Sequence, residues 1–223
     1  MDLMKLLRSL EEFVFEAIAL LFFYPRTLLR ITFRPLQAMH YAEQEEAAQK
    51  ATPYDDAVSP PLLLLITLLI TNGVGLALHV PQAADAAPVA KAFLDSPQNL
   101  LMFRSLLFSL IPLTAAVLLL RRQRQPASRT ALRQPFFAQC YLTSPFALLL
   151  SLGLMATQNA ATVPRVGGLA ACGLALAWMV GVQAAWFRDR LGIGRLRALG
   201  IALALVVGAC VAVVAALALL VDP

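Results

Sequence analysis

The groups able to do chemistry in the greasiest parts of this chain are amides and hydroxyls. Asn72 stands in one apolar run; Gln139, Tyr141, Thr143 and Ser144 stand in another, directly before Pro145. Such groups donate and accept hydrogen bonds without carrying charge. They suit two tasks: lining a polar path, or tying helices together. Titratable groups are arranged differently. The two histidines, His40 and His79, lie far apart. Cys140, Cys172 and Cys210 are odd in number, widely spaced and set in apolar surroundings. No zinc-helix pattern, nucleophile elbow, phosphate loop or C-x-x-C pair is present. General acid–base catalysis needs titratable groups within reach of one another. The expectation is a non-enzymatic protein with no metal and no cofactor, whose cysteines act as small buried hydrophobes.

A second chemistry-bearing stretch is FFYPRTLLRITFRPL, residues 22–36. Arg26, Arg30 and Arg34 recur every fourth residue and share one helical face. Pro25 and Pro35 bracket them, and Pro25 is read as opening a new turn, a position that tolerates proline. The first 24 residues carry an apolar stripe of Leu3, Leu6, Leu7, Leu10, Phe13, Val14, Ala17, Leu20 and Leu21. Lys5, Arg8, Glu12 and Glu16 fall on the other side. This pattern predicts an amphipathic helix lying in the membrane interface. The three arginines are then headgroup candidates, each gaining roughly 1 kcal/mol beside anionic lipid. The favoured reading of them is a topology signal that anchors the first span. Beyond Pro35, an Ala-, Glu- and Gln-rich stretch predicts a short soluble helix. Glu43, Glu45, Glu46, Asp55 and Asp56 read as a solvated acidic face, His40 as a surface residue, and PYDDAVSPP as a proline-stiffened linker.

Composition says what medium positions these residues. The chain has 223 residues, 60% hydrophobic and only 14% charged, with a mean hydropathy of +0.73. Soluble domains are nearer one quarter charged. Its net charge of +5 therefore points to a membrane surface rather than nucleic acid. The start carries Asp2, Glu11, Glu12 and Glu16, unlike a cleavable signal peptide. The fold class expected is all-α and polytopic, with five transmembrane helices at about 61–80, 101–120, 136–156, 166–187 and 198–221. Each run suffices for a ~30 Å hydrocarbon core. This divides the chain into a cytoplasmic amphipathic and basic region, 1–60, and a five-helix membrane domain, 61–223. Fifteen of the lysines and arginines fall before the first span or in the second and fourth loops, against Lys91, Arg104 and Arg165 elsewhere. Positive residues stay cytoplasmic, so the N-terminus is expected inside and the C-terminus outside.

The spans differ in kind. Pro112 and Pro145 free the carbonyls of Phe108 and Tyr141, which nearby hydroxyls or another helix must satisfy. The first three helices are expected to kink and to contact one another. The last two are rich in small residues at every fourth position: Gly173, Ala177 and Gly181, then Gly200, Ala204, Gly208 and Ala212. That spacing lets backbones approach closely. It predicts that these two helices pack together, or that one pairs across a homodimer. No Asp, Glu or Lys lies within any span.

Five spans, a cytosolic N-terminal region, and Tyr141-x-x-x-Pro145 near the cytoplasmic end of the third span resemble the Yip1-like family of membrane proteins, in its bacterial branch. The resemblance implies a non-enzymatic role in organising membranes or binding partners through cytosolic segments. Arginine outnumbers lysine 15 to 3, as in GC-rich bacterial genomes, which suggests a bacterial inner membrane. The leading expectation is an interaction or membrane-organising scaffold with lipid partners, and with a homo-oligomer or protein partner engaged through the N-terminal region. The alternative is a small transporter or permease component with a polar path past Asn72, Gln139, Thr143 and Ser144.

Overall fold

The structure, a computed structural model, describes residues 3–48, 54–79, 96–159 and 161–221. Lys50, Val80 and Lys91 lie outside these residues, and the side chains of Arg104, Cys210 and Ala212 are likewise not described. Seven helices follow in order among the described residues: α1 Leu3–Phe33, α2 Pro35–Ala48, α3 Pro60–Ala77, α4 Pro97–Arg122, α5 Arg129–Thr157, α6 Thr162–Leu191 and α7 Arg195–Val221. There is no strand among them. Among the described residues, four helical stretches are long and apolar enough to cross a membrane: Pro60–Ala77, Leu101–Arg122, Arg129–Thr157 and Thr162–Leu191.

The centre of the bundle is α5, against which α1, α2, α3, α4 and α6 all pack. Its run Ala138–Ala147 is buried on every side, although Gln139, Thr143 and Ser144 interrupt it. In helix interiors a hydroxyl can turn back on its own backbone. Thr143 donates to the Gln139 carbonyl and Ser144 to the Cys140 carbonyl, both at 2.8 Å. These hydroxyls therefore do not serve the Tyr141 carbonyl that Pro145 leaves free. The same holds around Pro112, where Thr114 donates to Leu110 and Ile111.

α5 and α6 approach one another closely. A Cβ built on Gly168 would meet the Gly153 carbonyl oxygen at 2.5 Å, and one on Gly153 would meet Cys172 Sγ at 2.7 Å. Only glycine permits that approach. The small-residue stripes of α6 and α7 lie elsewhere. Gly173, Gly181, Gly200 and Gly208 have nothing within 4 Å of a built Cβ, and Ala177 and Ala204 are exposed. The two helices do pack together, but through Ala175, Met179, Ala198 and Leu205 in the main core cluster. Within one chain, the stripes face outward.

The N-terminal region departs most from the sequence reading. Pro25 does not open a new helix; it lies inside α1, which runs unbroken for 31 residues. The break comes at Arg34, and Pro35 starts α2. One continuous helix puts Leu10, Val14 and Leu21 on one side and Arg8, Glu12, Arg26 and Arg30 on the other, at 3.6 residues per turn. Near its end, Thr27 and Ile31 are buried against the bundle. Farther toward the N-terminus, Leu7, Leu10, Phe13, Val14, Phe15 and Ile18 are all exposed.

Candidate functional site

The chemistry-bearing side chains gather where α2 lies across the ends of α5 and α6. The acidic residues of α2 were expected to form a solvated face; instead Glu43 is 6% and Glu45 8% exposed. A buried carboxylate is costly unless paired, and both helix ends supply arginines. Arg133 of α5 meets Glu46 at 2.5 Å, and Arg190 of α6 meets Glu43 at 3.2 Å. His40 is no isolated surface residue either. Its Nε2 lies 3.1 Å from Asp189 and its Nδ1 3.4 Å from Glu43. Burial pushes the Glu43 carboxyl above the ordinary range, against the pull of Arg190 and His40. The buried Trp186 indole faces this carboxylate without meeting hydrogen-bond geometry.

Polar groups continue inward from there. Residues 183, 186 and 190 share one face of α6 by helical spacing. Contacts of Gly153 with Gly168 and of Leu150 with Cys172 set an antiparallel register. Carried toward the α2 end, that register brings Gln139 level with Gln183. Both glutamines are 0% exposed, and none of their carboxamide atoms has a hydrogen-bond partner among the described residues. Thus a column of polar groups descends from the exposed Asp189 to two enclosed amides, about 10 Å along α6 from Arg190 to Gln183. It is blind: Phe146, Met179 and Ala175 fill the interface beyond, and then Gly153 closes on Gly168. Asn72 lies on α3 near its far end, 7% exposed with its Oδ1 unpartnered. Leu64, Leu68, Cys140 and Ala147 form an apolar cluster between α3 and α5. The structure does not bring Asn72 together with Gln139.

Beside the column, an aromatic collar fastens α1 and α2 to the bundle. Tyr54 sits at its centre with φ of 67°, a left-handed conformation that is strained for a bulky residue. Its ring contacts Tyr41, Phe137 and Tyr141 at 6.1–6.5 Å between centroids. Its hydroxyl donates to Glu46 at 3.0 Å, and its backbone N–H donates to Glu45. Tyr141 donates to the Val58 carbonyl at 2.7 Å. Asp56 accepts from Tyr41 at 2.5 Å and from Arg30 at 3.4 Å. The Tyr41 hydroxyl and, more weakly, Arg30 hold the Asp56 carboxyl below its ordinary range. Arg30, which also lies 5.1 Å over the Tyr41 ring, therefore has a structural partner. Arg26 and Arg34 are exposed, as is Arg30 itself.

No family model matches the chain, and neither a curated protein nor a solved structure matches it. Of the candidates read from sequence, Tyr141 belongs to the collar and Gln139 to the column. Thr143, Ser144 and Pro145 belong to the central helix. Sequence reasoning missed Gln183, Trp186, Glu43 and Tyr54. A signal for Gln183 existed: it is an amide in an apolar run, like Gln139. None existed for Tyr54, whose importance arises from residues distant in sequence.

Proposed function

We propose that this chain is a non-enzymatic, multi-pass membrane scaffold whose N-terminal helix lies on the cytoplasmic leaflet. The observation that carries it is α1. Its exposed apolar face, from Leu7 to Phe22, stands beside a bundle with four span-length helices. In water such a face is costly, at roughly 25 cal/mol per Å²; at a lipid interface it is satisfied. The collar explains how the helix is held: Thr27 accepts from the Val58 backbone at 3.3 Å and Tyr24 meets Thr67 at 3.1 Å. A fifth span through α7 completes the topology, with the N-terminus inside, the C-terminus outside, and a bacterial inner membrane as the setting. The sequence of α7 supports it, since residues 198–221 hold no charged side chain. The Yip1-like resemblance favours the same class of role.

A second reading, a small transporter or permease component, draws on the unpartnered amides of Gln139 and Gln183. The apolar seal beyond them and the remoteness of Asn72 weigh against a continuous path. The scaffold reading is tested by depth. In the cysteine-less full chain, reconstituted in vesicles, nitroxides are attached at Val14→Cys and at Glu12→Cys. Oxygen should reach position 14 better than an aqueous nickel complex does, and position 12 should show the reverse. Equal aqueous exposure at both positions would contradict an interfacial helix.

A further inference from the structure

Four arginines on the rim formed by the ends of α4, α5 and α7 occupy positions that local physics disfavours. Arg124 follows the C-cap of α4 with φ of 56°, in a helix-terminating turn closed by Gln125 N–H to Leu120 O at 2.9 Å. Glycine is the usual residue there, because a side chain makes the left-handed conformation costly. The same chain uses glycine at the neighbouring end of α6, where Gly192 has φ of 61°. Arg129 opens α5, and Arg195 and Arg197 open α7. A helix N-terminus carries partial positive charge and repels cations. Neither first turn holds an acidic residue that would offset this. Arg121 and Arg122 complete the group in the last turn of α4.

These ends are neighbours. Gln123 donates to the Arg190 carbonyl at 3.4 Å, joining the α4 end to the α6 end, and α4 also packs on α7. The six arginines are exposed. Residues 119–135 contain no Asp or Glu, and the nearby Asp189 is turned to His40. The contrast lies across the same face of the molecule, where Arg30, Arg133 and Arg190 are matched by Asp56, Glu46 and Glu43.

We infer that this rim is a binding surface for the phosphate groups of anionic phospholipids in the adjoining leaflet. Phosphate oxygens accept from guanidinium groups in a fork geometry. Ser128 caps α5 by accepting from the Ala131 N–H at 3.2 Å, and the remaining first-turn N–H groups of α5 and α7 are donors to the same anions. An external anion offsets the repulsion at those helix starts. This surface is separate from α1 and rests on the membrane reading only for the lipids within reach.

The test is native mass spectrometry of the full chain in mild detergent, with phosphatidylglycerol or phosphatidylcholine added. The variant combines Arg124→Gly, Arg195→Gln and Arg197→Gln. It should bind phosphatidylglycerol about a hundredfold more weakly, with phosphatidylcholine binding unchanged. Thermal unfolding without added lipid should not fall, because Arg124→Gly relieves a strained backbone. Undiminished phosphatidylglycerol binding by the variant, or equal binding of both lipids by the wild type, overturns the inference. Failure here leaves the α1 depth measurement untouched, and failure of that measurement leaves this lipid count readable.

Discussion

At the scale of single residues, the collar is held by a few polar contacts, some between side chains and some to backbone atoms. Tyr141 is 1% exposed and its hydroxyl donates to the Val58 carbonyl. That carbonyl ends the linker leading into α3, so the bond fixes where α3 begins. Replacing Tyr141 with Phe keeps the ring and orphans the carbonyl, at about 1–3 kcal/mol. Thermal unfolding in micelles should move down by a few degrees, whereas an unchanged midpoint would mean water reaches Val58. Sequence alone singled out Tyr141 through its spacing to Pro145, yet gave no hint of this partner. Likewise the acidic run of α2 looked solvated because its arginine partners, Arg133 and Arg190, are about 90 and 150 residues away along the chain. Charge pairing across such separations leaves no local pattern to read.

At the scale of elements, hydropathy made the long helices legible and spacing alone misled. The apolar runs behind α3 to α6 appear as helices of span length, because lipid and protein cores both favour continuous apolar segments that satisfy their own backbone. The glycine pattern was ambiguous. Repetition at every fourth residue marks a face without saying what covers it, and the stripes of α6 and α7 face outward. The true close approach, Gly153 against Gly168, involves one glycine from each helix and so has no repeat within either. Gly168→Leu should force α5 and α6 apart and cost about 3 kcal/mol or more. Gly181→Leu has open space and should leave the unfolding midpoint of the monomer within a degree or two. If Gly181→Leu unfolds the monomer as severely as Gly168→Leu, the helix faces assigned here are reversed. Pro25 misled in a similar way: proline is tolerated at a helix start, but α1 runs through it, with buried Thr27 and Ile31 fastening the next turn to the bundle.

At the scale of the whole molecule, the pieces agree on one orientation. The collar, the ion pairs of α2 and the arginine rim all lie at the α2 end of the bundle, where α4 and α6 finish and α5 and α7 start. In the proposed topology, a fifth crossing through α7 carries the C-terminus to the other side. Reporter tags at the two ends of the full chain, read in intact cells and in inverted membrane vesicles, measure this directly. The N-terminal tag should be reached only from the cytoplasmic side and the C-terminal tag only from the opposite side. Both tags accessible from one side, or the chain recovered in the aqueous fraction without detergent, would contradict this topology.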